Sequence, residues 1–324
     1  MQLGDVFTHY AGDLTIVEKH LKQRYRSYID LIPGIAAHII AGGGKRLRPL
    51  LLIVSADLCG YRGERHQRLA GVMEFIHTAS LLHDDVIDHA TMRRGKESAN
   101  RVWGNTASVL VGDYLYSLAF AELAEDEDPM VQKLLSYTTT VMVEGEIVQL
   151  VNVGNMQISE KDYLTVIERK TAILISACCA VGAVISGAGK ARVEALSQFG
   201  MALGMAFQIT DDTLDYVVSE KEFGKAVGTD IREGKITLPL IRTIAKCSAE
   251  EKGLIRGILE RRTASAAEVK GLLDVINRYD GIRYALDMAA RFIAEGKLAL
   301  ASFRDSVPRQ SLEALSDYVL ERRL

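Results

Sequence analysis

SLLHDDVID, residues 80–88, places Asp84 and Asp88 one helical turn apart in an otherwise apolar segment. Residues four positions apart lie on the same face of an α-helix, so the two carboxylates project to one side. The preceding residues 69–80 supply an apolar stripe at the helical period. The segment therefore predicts a long, largely buried helix that ends in a cluster of negative charge.

The same pattern recurs in FQITDDTLDY, residues 207–216, where Asp211 and Asp215 have the same spacing. Like charges in this arrangement repel each other, and a hard divalent cation can compensate them. Oxygen ligands without a nearby thiol favour Mg²⁺ over Zn²⁺. One such motif alone is also compatible with a solvated acidic helix face. Two of them, each on an apolar helix, predict a shared cage of several Mg²⁺ ions that holds a diphosphate.

The rest of the chain is also helical in pattern. Apolar stripes at helical spacing run through 131–145, 195–214 and 279–303, and no alternating run is long enough for a sheet. Five prolines and 6% aromatic residues in 324 positions agree with long helices. The sequence therefore predicts an all-α fold, a single helical bundle of about ten to thirteen helices forming one domain over 1–324.

Charge and cysteine content limit the classes of function. There are 39 basic and 42 acidic residues, a net charge of −3, so no global basic field attracts nucleic acid. Four cysteines without paired spacing indicate reduced thiols and a cytoplasmic location. The N-terminus has no signal-peptide pattern. The uncharged stretch 171–189 is rich in small residues, which predicts a buried core helix and no membrane anchor.

A third pattern is cationic. GGGKRLRP, residues 42–49, is a glycine turn that delivers Lys45 and Arg48, and Arg93 and Arg94 follow the first acidic motif. Guanidinium groups match phosphate geometry, and lysine adds a point charge. The turn lacks the Gly-Lys-Ser/Thr ending and the preceding strand of a P-loop. An ordinary surface loop is the alternative. Together with the acidic motifs, these cations indicate a second anionic group that is bound directly.

In five segments between residues 42 and 241, the chain resembles the trans-isoprenyl diphosphate synthase family. The segments are, in order, GGGKRLRP, HDDVIDHATMRRG, ERKTA, FQITDDTLDY and FGKAVGTDIREGKITLPLI. The resemblance implies a polyprenyl synthase domain whose helices surround a deep central cavity, usually in a homodimer. It implies head-to-tail joining of isopentenyl diphosphate to an allylic diphosphate, with three Mg²⁺ ions bound alongside the allylic diphosphate.

The resemblance also assigns roles to individual residues of this chain. It implies that the Mg²⁺ ligands are Asp84, Asp88, Asp211 and Asp215, with Asp85 and Asp212 in support. The implied isopentenyl diphosphate site is Lys45, Arg48, His77 and Arg94. The implied partners of the allylic diphosphate are Arg93, Lys170, Lys225 and Lys235. Thr171 and Gln208 would face the allylic cation, and segments 90–104 and 219–234 are candidate lids or ordinary loops.

Product length depends on the residues below the first acidic motif. Short-chain members of the family often carry an aromatic ring at the positions that Ala79 and Ser80 occupy here, roughly 6–7.5 Å below Asp84 at a helical rise of about 1.5 Å per residue. Ile76, one turn further, is not aromatic either. Residues 141–150, VMVEGEIVQL, resemble long-chain synthases of quinone side-chain biosynthesis. We therefore expect a long-chain, octaprenyl-type product, which would be handed to the membrane.

Three alternatives remain open from the sequence. A short-chain synthase making farnesyl or geranylgeranyl diphosphate would share the same charged motifs. A class I terpene cyclase usually carries a different second metal motif and has little need for Lys45, Arg48 and Arg94. A non-catalytic subunit of a heteromeric synthase typically loses aspartates, and the motifs of this chain retain them.

Overall fold

The computed structural model describes residues 1–42, 44–126, 128–217, 229–261, 263 and 265–321. Over these residues the predicted all-α fold is confirmed. The α-helices are α1 (Leu3–His9), α2 (Ala11–Arg24), α3 (Leu31–Ala41), α4 (Leu47–Leu58), α5 (Arg65–Ile87), α6 (Ala99–Trp103), α7 (Asn105–Ala124), α8 (Pro129–Val151), α9 (Glu160–Ile167), α10 (Ile173–Ile185), α11 (Lys190–Leu214), α12 (Thr229–Arg232), α13 (Leu238–Ile244), α14 (Ala249–Arg261), α15 (Ala266–Arg278), α16 (Gly281–Ala299) and α17 (Val307–Glu321). Two strands, β1 (Met92–Arg93) and β2 (Lys96–Glu97), form an antiparallel hairpin.

The described residues form somewhat more helices than the predicted ten to thirteen. The surplus comes from short elements, since α1, α6, α12 and α13 have seven, five, four and seven residues. A helix of one or two turns holds too few apolar positions to display a period of 3.6 residues. The sequence pattern therefore detects the long helices and misses the short ones.

The chain forms two compact units, each assembled from separate segments. Unit 1 comprises Met1–Thr139, Ala177–Ser197 and Ser302–Ala314. Unit 2 comprises Thr140–Ser176, Gln198–Ala301 and Leu315–Leu324. The chain returns to each unit more than once, so neither corresponds to one continuous stretch of sequence. The single domain over 1–324 stays a prediction.

In unit 1, the long helix α5 packs against α2, α4 and α7. Its predicted apolar stripe is confirmed, because Leu69, Val72, Met73 and Ile76 are all fully buried. Burial of each such side chain stabilises the fold by about 1.5–3 kcal/mol. The C-terminal end of α5, which carries the first acidic motif, therefore stands on a well-packed base.

In unit 2, α13 and α16 pack closely against each other. Gly281, the first residue of α16, lies so near α13 that a Cβ atom there would be 2.5 Å from the carbonyl oxygen of Pro239. The Tyr284 hydroxyl donates to Glu160 of α9 at 2.8 Å. These contacts connect α16 to α9, which is followed directly by a π-helical turn, Glu168–Ala172.

Two helices of the chain are strongly apolar. The stretch 171–189 forms α10 and its flanks, and its predicted burial is confirmed by Leu174, Ile175, Cys178 and Cys179, which are at most 1% exposed. In the described part of the chain, one helix, α7, is long and apolar enough to cross a membrane by length and composition, with 39% of that window buried. Because α7 packs against α5, its apolar character also serves the core of unit 1.

A close backbone contact in unit 1 generates a stability prediction. A Cβ atom at Gly182 of α10 would lie 2.5 Å from the carbonyl oxygen of Leu52 and 2.8 Å from the amide nitrogen of Ala56, both in α4. Gly182→Ala must push two helix backbones apart. We expect it to lower the free energy of unfolding by about 1–3 kcal/mol, measured by denaturant titration.

The control is Gly253→Ala in α14, where a Cβ atom would meet nothing within 4 Å. We expect this change to raise the free energy of unfolding by about 0.5–1 kcal/mol, because alanine favours the helix. Equal stabilities of Gly182→Ala and the wild type would contradict the close contact.

Candidate active site

The first acidic motif lies at the C-terminal end of α5, in unit 1. Asp84 and Asp88 are half-buried and one turn apart, and the amide nitrogen of Asp88 donates to the Asp84 carbonyl at 2.8 Å, which confirms the predicted helical spacing. The negative end of a helix dipole does not favour carboxylates. The mutual repulsion and the dipole therefore both disfavour two ionised carboxylates at this position, and a bound cation would offset that cost.

Asp85, between these two residues, has a different partner. Its side chain is 1% exposed, and Oδ1 accepts from Nε and Nη2 of Arg93 at 2.8 and 2.7 Å. The other carboxylate oxygen, Oδ2, is buried without a hydrogen-bond partner. The structure thus brings together Asp85 and Arg93, two residues predicted to serve the metal and the allylic diphosphate. Asp85 fixes the place of the Arg93 guanidinium.

A glycine loop in unit 1 leads into α4 and carries the predicted Lys45 and Arg48. Arg46, to which the sequence assigned no role, adopts φ +47° and anchors this loop. Its guanidinium donates to Glu18 at 2.5 Å and to Glu74 at 2.7 Å. Glu74 is only 5% exposed, so this ion pair is held inside the protein. Arg46 therefore fixes the backbone from which the side chains of Lys45 and Arg48 project.

Arg94 reaches the same loop from the hairpin β1–β2. Arg94 and Gly95 form the two-residue turn of this hairpin, with φ +51° and +76°, as type I′ turns require. A Cβ atom at Gly44 would lie 2.8 Å from Nη1 of Arg94, so the guanidinium lies directly against the glycine loop. A side chain at Gly44 would displace it.

Arg48 and Arg94 place positive charge beside His77 in unit 1, and these three residues are called here the cationic cluster. Burial lowers the pKa of the Arg48 and Arg94 guanidinium groups. Burial also lowers the pKa of His77 well below its ordinary value, and the charges of Arg48 and Arg94 lower it further. Arg48 Nε is buried without an acceptor. Mutual repulsion and an unsatisfied donor are the features expected of an anion site, and Lys45 lies exposed on the adjoining loop.

The second acidic motif is at the C-terminal end of α11, in unit 2. Asp211 is exposed, and Asp215 follows the last residue of the helix. The Asp215 carboxylate accepts from the amide nitrogens of Thr229 and Asp230 at 3.2 and 3.0 Å. Burial raises the pKa of Asp230 well above its ordinary value, and the charges of Asp212 and Asp215 raise it further. Negative charge is therefore concentrated here as well.

A hydrogen-bonded chain links this motif to the π-helical turn. Thr171 Oγ1 donates to Gln208 Oε1 at 2.9 Å, and Gln208 Nε2 donates to Asp212 Oδ1 at 2.7 Å. Asp212 Oδ2 accepts from the Tyr163 hydroxyl at 2.7 Å. Burial raises the pKa of Asp212 to about 7, against the effect of these donors. The structure thus joins the predicted pair Thr171 and Gln208 and adds Tyr163, which no local sequence pattern marks.

Two of the three predicted lysines of unit 2 lie within the described residues, and each pairs with a glutamate. Lys170 Nζ lies 2.5 Å from Glu146 Oε2, and Lys235 Nζ donates to Glu233 at 2.8 Å. Lys225 and most of the candidate lid 219–234 lie outside the described residues. The other candidate lid, 90–104, contains the hairpin that carries Arg93 and Arg94. Its role as a lid stays a prediction.

The predicted chain-length residues lie in α5 below Asp84. Ile76 and Ala79 are buried, whereas Ser80 is half-buried and its Oγ donates to the His77 carbonyl at 2.9 Å. Of these three side chains, Ser80 has the most open surface. Their role in product length stays a prediction.

The two aspartate pairs offer oxygen ligands that suit a divalent cation. Among the residues that the structure describes, no group of three or more His, Cys, Asp or Glu side chains is arranged to hold a metal ion. Asp84 and Asp88, and likewise Asp211 and Asp215, supply oxygen ligands in pairs one turn apart. Such pairs fit a hard cation that takes its remaining ligands from a bound phosphate or from water.

Comparison with known proteins gives consistent matches over nearly the whole chain. A family model described as Polyprenyl synthetase matches residues 29–276. An octaprenyl diphosphate synthase from Haemophilus influenzae is 37% identical over 99% of this chain and 98% of its own length. A geranylgeranyl diphosphate synthase from Sulfolobus acidocaldarius is 36% identical over 88% of this chain and 89% of its own. A solved polyprenyl synthase from Caulobacter crescentus, complexed with calcium and isoprenyl diphosphate, is 38% identical, with a TM-score of 0.95. The match covers 100% of this chain and 98% of the solved chain.

The lowered pKa of His77 predicts a pH dependence of stability. The unfolded chain binds a proton at His77 near pH ~6.5, whereas the folded protein does so only at lower pH. The free energy of unfolding should therefore decrease as pH falls below ~6.5, by up to about 1.4 kcal/mol per pH unit from this group. We expect the free energy of unfolding, measured by urea titration, to decrease less between pH 7 and pH 5.5 in the His77→Gln variant than in the wild type. Parallel pH profiles would contradict a neutral His77 in the folded protein.

Proposed function

The chain belongs to the polyprenyl synthetase family and is a trans-prenyltransferase, and we propose that it makes a long-chain all-trans-polyprenyl diphosphate. In this reaction isopentenyl diphosphate is condensed head-to-tail with an allylic diphosphate such as farnesyl diphosphate. The observation that carries the proposal is the cationic cluster of Arg48, His77 and Arg94 in a chain that also has two acidic motifs. A prenyl condensation needs two separate diphosphate sites, and these are two chemically different means of binding one.

The acidic motifs are proposed to serve the allylic diphosphate. Mg²⁺, three ions in this proposal, would be held by Asp84, Asp88, Asp211 and Asp215 and would neutralise charge on the leaving pyrophosphate. The solved Caulobacter crescentus relative, described with calcium and isoprenyl diphosphate, supports a divalent cation at such a site. Asp85 and Asp212 would act one step away, by holding Arg93 and Gln208 in place.

The basic and polar side chains are proposed to control the bond changes. Cleavage of the C1–O bond of the allylic diphosphate creates a carbocation, and Lys170, Lys225, Lys235 and Arg93 stabilise the negative charge that develops on the departing oxygen. The oxygens of Thr171 and Gln208 face the cation. Lys45, Arg48, His77 and Arg94 hold isopentenyl diphosphate, whose double bond attacks the cation. The released pyrophosphate takes the proton from C2, so the reaction needs no side-chain base.

A long product is supported by two observations. The octaprenyl diphosphate synthase of Haemophilus influenzae is similar over 99% of this chain. The positions one turn below Asp84 hold the small residues Ala79 and Ser80. The geranylgeranyl diphosphate synthase of Sulfolobus acidocaldarius, at 36% identity, keeps a short-chain product as the second candidate. A non-catalytic subunit is disfavoured because both acidic motifs are complete.

The biological setting forms part of the same proposal. We propose a cytoplasmic homodimer with one polyprenyl synthase domain per chain, whose product enters a quinone side chain after transfer to the membrane. Large apolar side chains stand exposed on α7 and α8 of unit 1, including Leu110 at 62% and Tyr137 at 65%. A second copy of the chain would cover surfaces of this kind.

Loss of the acidic motifs tests the reaction. Asp84→Ala and Asp211→Ala each remove an oxygen ligand, so we expect kcat to fall at least about a hundredfold, since the leaving group loses charge stabilisation. The measurement is chromatography of dephosphorylated products after incubation with farnesyl diphosphate, radiolabelled isopentenyl diphosphate and Mg²⁺. Long labelled polyprenols are expected from the wild type. Wild-type turnover that persists in EDTA, or near-normal kcat in both variants, would contradict the proposed site.

Product length is tested at the helix below Asp84. Ser80→Phe and Ala79→Phe introduce a ring on the proposed path of the growing chain, and we expect shorter products in the same chromatographic assay. Ala267→Phe on α15, an exposed alanine, is the matched control and should leave the product distribution unchanged. An unaltered distribution in Ser80→Phe and Ala79→Phe would remove this assignment while leaving the condensation reaction intact.

A further inference from the structure

The π-helical turn Glu168–Ala172 of unit 2 is clamped against α8 by three consecutive residues. Glu144 of α8 pairs with Arg169, and Glu146 pairs with Lys170 at 2.5 Å between Oε2 and Nζ. Between them, a Cβ atom at Gly145 would lie 2.6 Å from the amide nitrogen of Lys170. Residues 144–146 (EGE) therefore contact residues 169–170 (RK) through two ion pairs, and the backbone of Gly145 packs directly against the turn between them.

The opposite side of the turn is held just as closely. A Cβ atom at Gly204 of α11 would lie 2.5 Å from Cα of Ala172. Thr171 is bonded to Gln208, also in α11. The turn is thus fixed between α8 and α11. Its backbone has little freedom to move, so the Cα positions of its side chains are fixed. Short π-helical segments inside longer helices occur frequently at functional sites.

The two ion pairs of the clamp differ in their exposure to water. Arg169 and Glu144 are 37% and 52% exposed, whereas Lys170 and Glu146 are 21% and 20% exposed. Exposed pairs interact weakly because water screens them and both side chains lose freedom. A pair that is shielded from water on most sides interacts more strongly. Of the two glutamates, Glu146 is therefore the one that can control where its partner's charge lies.

We infer that Glu146 is a positioning residue, which holds the ammonium group of Lys170 in place to receive the charge that develops on the leaving diphosphate. The inference rests on the proposed function, in which Lys170 binds the allylic diphosphate. A lysine side chain has four rotatable carbon–carbon bonds, and fixing it costs conformational entropy. Glu146 fixes it before substrate arrives, so that cost does not add to the barrier of the chemical step.

This role has a characteristic kinetic signature. Glu146→Gln keeps the shape of the side chain but releases the ammonium, which still attracts the diphosphate from several positions. We expect kcat to fall about tenfold, because transition-state stabilisation needs the charge in one place. The KM for farnesyl diphosphate should change less than about threefold. Glu146→Asp, which keeps the charge on a shorter arm, should recover part of the lost kcat.

The decisive experiment is a double-mutant cycle with Lys170→Met. If Glu146 acts through Lys170, Glu146→Gln should change kcat by less than about twofold once Lys170 is already replaced. Glu144→Gln, which removes the exposed pair of the same clamp, is the matched control and should stay within about twofold of the wild type. The unfolding midpoints of all variants are measured alongside, since a clamp that only stabilises the turn would lower them together with kcat.

A second readout separates this inference from the proposed function. The same four proteins of the cycle are titrated with inorganic pyrophosphate and Mg²⁺ in a calorimeter. Pyrophosphate, unlike farnesyl diphosphate, carries the full charge of the departed leaving group, so Glu146→Gln should shift its Kd at least about threefold, and only when Lys170 is present. Absence of chain elongation by the wild type would refute the proposed function, and the pyrophosphate cycle would still decide the inference. Additive effects in both cycles, or equal kcat losses in Glu144→Gln and Glu146→Gln, would overturn it.

Discussion

Each of two long helices ends in a pair of aspartates one turn apart, and the repulsion within each pair is the constraint on which the proposed chemistry depends. Asp84 and Asp88 end α5 in unit 1, and Asp211 and Asp215 end α11 in unit 2. Each pair is disfavoured by its own repulsion and by the helix dipole. The folded chain tolerates this cost because the apolar packing of the helices is much larger. A cation bound to either pair would lower this repulsion.

The cationic cluster obeys the same rule with the opposite sign. Burial lowers the pKa of Arg48, Arg94 and His77, and an incoming anion would stabilise the charges of the two guanidinium groups. Protonation of His77 is suppressed, which leaves its ring free to act as a neutral hydrogen-bond partner beside two permanent charges. Arg46 makes the cluster possible, since its buried pair with Glu74 holds the loop without adding an uncompensated charge.

Those features that depend on local spacing could be predicted from the sequence. The turn-by-turn placement of Asp84 and Asp88 follows from helix geometry alone, as does the buried stripe of α5. Contacts between distant segments could not be predicted in this way. Tyr163 bonds to Asp212, 49 positions further along the chain, and only the tertiary fold brings them together. The π-helical turn at Glu168–Ala172 also escapes notice, because five residues are too few to display a period of their own.

The proposed reaction and the proposed control of product length make different demands on the structure. Charge recognition needs atoms fixed to within a fraction of an ångström, which backbone contacts such as those of Gly145 and Gly204 provide. In the proposed function, product length depends on the empty or filled volume further down α5. The octaprenyl diphosphate synthase of Haemophilus influenzae and the geranylgeranyl diphosphate synthase of Sulfolobus acidocaldarius are 37% and 36% identical to this chain, although their products differ in length. Overall similarity therefore identifies the reaction, whereas the proposed function assigns product length to individual positions such as Ser80, whose side chain is half-buried.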